Sequence, residues 1–260
     1  ELLQKERRRK SVTSWRFQKS LTCISGLMLV STLKNIMEKP CMKQPDTTTT
    51  GINEVVLGDL SLYTSNQFDG YGYQHINDIL GHIVGMSGNK PVKRALEAFC
   101  GPGYIGFGLK ELNYAEEIVL ADIHEPLWEA IGQSINVNNL QDSVQFIVSD
   151  NFKNIPEQKF DLIVGNPPHF NFRKLYDEKD LFYNEPRKHV DIDWKIHIDF
   201  YNNVKNYLAP DGKIILMENV KGSAPSVFED MINKNGLRMT DYAISETWPD
   251  DVWYIKVEHE

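Results

Sequence analysis

The stretch DLIVGNPPHF, residues 161–170, holds the side chains of this chain best suited to chemistry. Apolar residues fit for a buried strand run into Gly165, an amide, two prolines that donate no backbone hydrogen bond, an imidazole and a phenyl ring. A turn needs less than this. The side-chain oxygen of Asn166 and the carbonyl of Pro167 can each accept a hydrogen bond from an NH2 group, and Pro167 with Pro168 holds that carbonyl rigid. Methylation of a planar nitrogen requires its delocalised lone pair to face the methyl donor in line. Two such acceptors fix that orientation and favour the electron-rich nitrogen that develops in the transition state. The ring of His169 can stack on a planar substrate, hydrogen-bond or take a proton, or stand as a turn residue in solvent. Phe170 can stack in its place or serve the core.

Three earlier segments end in residues that suit a nucleoside. EAFCGPGYIGFG spaces Gly101, Gly103 and Gly106 as G-x-G-x-x-G ahead of a helical stretch, which lets backbone approach a ligand and presents a helix N-terminus. A turn packed closely on a helix needs the same glycines. Asp122 can accept two hydrogen bonds from a ribose, and Asp150 with Asn151 can read an adenine amino group. Each acid alone suits a helix cap or turn, but three successive strand ends in agreement favour a nucleoside-bearing cofactor. A nicotinamide dinucleotide and S-adenosylmethionine both fit. Hydride transfer has no use for NPPHF, so S-adenosylmethionine is expected.

These residues must be positioned by the elements between them. Strands are expected over 94–99, 117–122, 144–148, 160–165 and 213–218, with two late ones near 238–245 and 252–258. Helices are expected over 104–114, 125–139, 193–208 and 224–235. Such alternation means right-handed crossovers, and so an α/β fold: a Rossmann-like, doubly wound, mostly parallel seven-stranded sheet with helices on both faces. Ligands bind outside the carboxyl ends of such strands. Two ring-rich stretches flank the motif. Residues 169–192 are long for a strand-to-helix connection and suit a lid or a surface insertion, while 69–77, with Tyr71, Tyr73 and His75, suit a cover for the methionine end of the cofactor or packing against the sheet.

The chain has 260 residues, enough at 41% hydrophobic content to bury a full core. Its net charge of −8 is uneven, since Lys and Arg prevail over residues 1–43 and acids over the remainder. That acidic body repels phosphate backbones, whereas the basic arm can supply contacts to RNA. Residues 1–50 are expected to form an arm, helical in part, with a linker at 43–51, and residues 51–260 the catalytic domain. The apolar run 21–33 is too short for a membrane span and is expected to be an arm helix rather than a targeting segment. Cys23, Cys41 and Cys100 have no metal-ligand spacing and suit a reducing, cytoplasmic setting without disulfides. No metal is expected.

From about residue 94 to 220 the chain resembles the class I S-adenosylmethionine-dependent methyltransferases, in the HemK-type and small-domain branches that carry an N-P-P-aromatic motif. LEAFCGPG, ADIHEPLWEAIGQSINVNNL, VSDNF, FDLIVGNPPHF and HIDFYNNVKNYLAPDGKIILMEN are similar to the successive motifs of that family. The resemblance implies that Glu97 holds the methionine amino group through water and that Gly101 and Gly103 admit the cofactor. It further implies that Asp122 binds the ribose, that Ile123 joins the cofactor site, and that Asp150 with Asn151 flanks the adenine. Asn166, Pro167, Pro168 and His169 then form the catalytic motif, with Asn166 facing both cofactor and substrate. Two residues depart from the pattern: Phe99 stands where many members have the first glycine of the loop, and His169 where Tyr or Phe usually follows the prolines. The expected activity is methylation of an amide or amine nitrogen, with a protein glutamine favoured as acceptor and an RNA base or a small molecule as alternatives. A catalytically decayed cofactor-binding scaffold is the expectation from another class.

Overall fold

The computed structural model describes residues 51–65, 72–171 and 189–260. The expectations for the arm, for Tyr71 and for most of the 169–192 connection lie outside them. An antiparallel hairpin, β1 (Ile52–Leu57) and β2 (Leu60–Ser65), precedes α1 (Ile76–Met86). The sheet is built from β3 (Val92–Ala98), β4 (Ala115–Asp122), β5 (Val144–Val148), β6 (Phe160–Gly165), β7 (Leu208–Asn219), β8 (Leu237–Ile244) and β9 (Val252–His259). Four helices join its strands: α2 (Tyr104–Glu111), α3 (Leu127–Val137), α4 (Lys195–Val204) and α5 (Pro225–Asn233). The strand order is β5-β4-β3-β6-β7-β9-β8, and β9 alone runs antiparallel to its neighbours. The seven-stranded, mostly parallel sheet expected from the alternation is present.

Both faces are dry because successive side chains of a strand point to opposite sides. Ile118 and Leu120 of β4 pack with α1, α2, α3 and the hairpin, whereas Val119 and Ala121 pack in the cluster that holds Phe200 and Val204 of α4 and Phe228 of α5. The same alternation sends Glu97 toward α2, and Glu218 toward α4. After β5 the chain crosses over β3 to begin β6, so the carboxyl ends of β3 and β6 meet where the winding reverses. Register makes them level: Ala98 pairs with Ala121 of β4 and with Gly165 of β6.

The hairpin and α1 were not foreseen from sequence. The hairpin is held by polar side chains of other elements that imitate a neighbouring strand. Ser134 accepts from the Tyr63 amide at 2.8 Å, Asn138 bonds both the amide and the carbonyl of Ser61, and Glu111 accepts from the Asp59 amide at 2.8 Å. Helix α1 is fastened by Tyr254 of β9, which donates to Asp78 and stacks on His82 with centroids 4.1 Å apart. Among the described residues no helix is long and apolar enough to cross a membrane.

Gly106 shows how tightly α2 is seated. A Cβ added there would stand 2.4 Å from Leu120 and 2.9 Å from a carboxylate oxygen of Glu97. Gly106→Ala should therefore lower stability by about 1–3 kcal/mol, the usual cost of overpacking, and urea unfolding with an unchanged midpoint would contradict it.

Candidate active site

The carboxyl ends of β3, β4, β5, β6 and β7 open into one cleft of about 390 Å³. Glu97, the penultimate residue of β3, is 3% exposed and turns its carboxylate onto the start of α2, accepting from the amides of Gly106 at 2.6 Å and Ile105 at 3.3 Å. Burial pushes its carboxyl up to about 8, against the pull of those two amides and with help from the nearby Asp122 charge. The loop that follows needs left-handed backbone: Gly103 caps α2 with φ of 82°, and Phe99 adopts φ of 55°. At Phe99 a bulky residue holds a conformation glycine adopts freely, a strain of about 1–3 kcal/mol. Its ring lines the cleft while packing on Phe200, centroids 5.6 Å apart, which places it on the α4 side.

Asp122, at the end of β4, accepts from the Gly101 amide at 2.8 Å through one oxygen and from the amide and ring of His124 through the other. It thereby stitches the glycine loop to the next strand. Ile123 is 55% exposed and lines the cleft. Asp150 is exposed and pairs with Lys153, while Asn151, at φ of 50°, donates to Asp199 of α4 at 2.7 Å and leaves its own oxygen without a partner. The four residues sit together, but Asp150 and the amide nitrogen of Asn151 are already engaged.

Asn166 follows β6 directly. Its side-chain oxygen is buried and accepts no hydrogen bond, and its amide nitrogen lies near Gly72, 3.5 Å from where a Cβ would stand. Pro167 and Pro168 follow it and are buried, and of the two Pro168 lines the cleft whereas Pro167 does not. His169 lines the cleft with its side chain 12% exposed, Nδ1 3.5 Å from Glu218 and without a hydrogen-bond partner. Phe170 also lines the cleft, and its backbone clamps the far side of the following excursion: its amide donates to the carbonyl of His189, and its carbonyl accepts from Asp191, each at 2.9 Å. Native interiors satisfy nearly all buried polar atoms. Among the described residues eight buried side-chain atoms lack a partner, and four of those, on His75, Asn151, Asn166 and His169, line this one cleft.

Sequence reasoning missed the groups beneath the motif. His197 of α4, 1% exposed, turns Nδ1 to Asp191 at 2.7 Å and Nε2 to Glu218 at 3.0 Å. Burial opposes its charge, but the carboxylates of Glu218 and Asp191 outweigh that and hold the imidazolium up at about 9. Glu218 in turn lies below the usual carboxylate range: burial resists its ionisation, and His197 foremost overcomes it. Asp191 also accepts from the amides of Ile196 and His197, capping α4, and Phe228 stacks on the His197 ring at 4.7 Å. His75, just ahead of α1, enters the cleft from the other face, its basicity lowered by burial. Tyr73, two residues earlier, is core and packs edge-on to Tyr104. A histidine in a helix interior carries no local signal of such placement, whereas His75 belongs to the 69–77 stretch expected either to cover the methionine end of the cofactor or to pack against the sheet.

The family described as "Methyltransferase small domain" matches residues 86–241. The release factor glutamine methyltransferase of Leptospira interrogans is 31% identical over 162 residues, 57% of this chain and 54% of that protein. The ribosomal RNA small subunit methyltransferase C of Haemophilus influenzae is 39% identical over 80 residues, 31% of this chain and 23% of that protein. The chain thus spans from about a quarter to about half the length of these relatives. Among solved structures, the ribosomal protein L11 methylase of Lactobacillus delbrueckii subsp. bulgaricus shares the fold with a TM-score of 0.51 and 15% identity, over 74% of this chain and 81% of that one.

The two groups held above their ordinary values, Glu97 and His197, make stability fall as pH rises, while His75, lowered by burial, acts in the opposite sense below 6.5. Glu97 ionises from 4.5 in the unfolded chain but only near 8 when folded, so its contribution declines as pH rises between those values. The His197 contribution is complete below 6.5 and is lost as pH rises through about 9. The difference in urea-unfolding free energy between the native protein and Glu97→Gln should fall on the order of 1 kcal/mol per pH unit from pH 5 to 6.5, because both carry the same opposing His75 contribution. A native profile as flat as that of the variant would contradict the buried Glu97 environment.

Proposed function

The chain belongs to the methyltransferase small-domain family, and from that premise we propose that it transfers the methyl group of S-adenosylmethionine to a planar amide or amine nitrogen, with a protein glutamine as preferred acceptor. The observation that carries this reading is the side-chain oxygen of Asn166, buried without a partner in the cleft that also holds Glu97 and Asp122. A buried acceptor without a partner among the described residues, at a cleft, is available to a donor on a ligand.

The residues present fit the cofactor, which supplies an electrophilic methyl group on a sulfonium when bound. Gly101, at the cleft, leaves the backbone open to close approach, Gly103 supplies the left-handed turn into α2 from outside the cleft lining, and Glu97 meets the methionine ammonium, directly or through water. Asp122 Oδ2 retains acceptor capacity beyond its bond from Gly101 and takes a ribose hydroxyl. The unpartnered oxygen of Asn151 takes the adenine amino group, with Asp150 at the rim and Ile123 against the base. Asn166 and, as the motif implies, the Pro167 carbonyl then hold the acceptor NH2 with its lone pair aimed at the methyl carbon, while His169 and Phe170, which line the cleft, form the walls around it.

The choice of acceptor rests on charge. Among the described residues the cleft lining includes Glu218 and Asp251 but no Lys or Arg. An amide enters such a site without repulsion, whereas a phosphate backbone does not. A relative named as a glutamine methyltransferase supports the same choice. The RNA reading is kept by the basic residues of 1–43, which can neutralise phosphates outside the cleft. The buried thiol of Cys100 suits the cytoplasmic setting we assign. Incubation with S-adenosylmethionine and either a glutamine-bearing protein or ribosomal RNA tests the choice: S-adenosylhomocysteine should form with the protein. Formation only with RNA would move the acceptor, and cofactor binding without turnover on any acceptor would favour a decayed scaffold.

Asp122→Ala should weaken S-adenosylmethionine binding by on the order of 1–3 kcal/mol in titration calorimetry, as expected for lost charge-assisted hydrogen bonds. Asn166→Ala should keep the fold and most cofactor affinity while slowing methyl transfer about 10²–10³-fold, and Asn166→Asp, which preserves an acceptor oxygen, should retain more activity than Ala. The opposite ranking in a folded pair would remove Asn166 from the nitrogen-orienting role.

A further inference from the structure

Resting on nitrogen methylation as the reaction of this cleft, we propose that His169 is a catalytic residue that receives the proton shed by the acceptor nitrogen, its ring held and charge-compensated by the buried Glu218–His197–Asp191 network. The reaction requires such a destination. As the new N–CH3 bond forms, the S–CH3 bond breaks and sulfur keeps the electron pair as a neutral thioether. The nitrogen is then left with one proton too many. Asn166 and the Pro167 carbonyl orient an NH2 group but are too weakly basic to carry that proton away, and Glu97 is turned onto the α2 amides.

The His169 ring stands three residues beyond Asn166 on the same rigid turn and lines the same cleft. Its Nδ1 faces Glu218 Oε2 at 3.5 Å. That orientation assigns the ring hydrogen to Nδ1 and leaves the Nε2 lone pair on the opposite side of the ring. Glu218 cannot drift from its post, because Oε1 is bonded to His197, which is fixed by Asp191, which is fixed by the first amides of α4. Two carboxylates share one imidazolium, each about 1% exposed, which leaves a net negative charge behind His169 that the Ser223 hydroxyl, 3.5 Å from Glu218 Oε2, and the first α4 amides on Asp191 meet with dipoles alone. An imidazolium at His169 neutralises it.

The other titratable groups facing this end of the cleft are His75, Asp251 and His189. His75 enters from the α1 side with its basicity lowered by burial, Asp251 is paired with Lys221, and His189 lies across from Phe170. A residue needed only as a stacking surface would require no ionic support, and the network is costly: buried ion pairs are commonly matched in stability by apolar residues of equal volume. Its retention beneath an imidazole, at a position where a phenyl or phenol ring would stack as well, is explained by a charge that appears on that imidazole during turnover.

Two measurements test this. In ¹⁵N NMR of the native protein at alkaline pH, His169 should appear as the Nδ1–H tautomer, and an Nε2–H tautomer overturns the proposal whatever the activity. His169→Phe keeps a ring in place and should lower the methyl-transfer rate roughly a hundredfold, abolish the acidic limb of the pH–rate profile and leave S-adenosylmethionine affinity within about twofold. A His169→Phe variant as fast as the native protein, or one that keeps the acidic limb, overturns the proposal and leaves nitrogen methylation standing. A native protein that produces no S-adenosylhomocysteine with glutamine or base acceptors overturns nitrogen methylation, and with it the source of the proton.

Discussion

Level pairing of parallel strands at the reversal of the winding is the constraint on which the cleft depends. Ala98 is in register with Ala121 on one side and Gly165 on the other, so the residues just before, at or after those positions, Glu97, Asp122 and Asn166, emerge at one height. A shift of one residue in either pairing would send the affected side chain to the opposite face of the sheet. The crossover from β5 over β3 to β6 then leaves this edge uncovered, because the helices that follow β3 and β6 depart to different faces. The loops need only decorate an opening that the sheet has already made.

Around that opening the fold manages buried charge in two ways. Toward α2, Glu97 is stabilised by amides alone and sits in surroundings that favour its neutral form. Toward α4, Glu218 shares a histidine with Asp191 and is held in its ionised form. One side of the cleft therefore holds a carboxyl ready to ionise against an arriving cation, and the other a fixed negative charge behind His169. The strain at Phe99 and the unpartnered oxygens of Asn151 and Asn166 gather in the same space. Such costs persist where the surrounding structure over-determines them, and here two packed faces and a rigid Pro-Pro turn do so.

Much of this was legible from the order of residues. The alternation of apolar runs and amphipathic stretches encodes β3 to β9 and the helices between them, since period and turn residues are local properties that read the same wherever a segment ends up. NPPHF could be singled out because the residues proposed to carry its chemistry are adjacent on one turn. The hairpin at 52–65 could not, because its polar edge is satisfied by Ser134, Asn138 and Glu111 from helices far along the chain. Only the tertiary structure brought His75, His197, Asp191 and Glu218 to Asn166 and His169, and only it turned Glu97 into a carboxyl that prefers to be neutral. Basicity and partnership of a side chain are set by burial and by neighbours from distant elements, and the chain's order alone does not specify those distances.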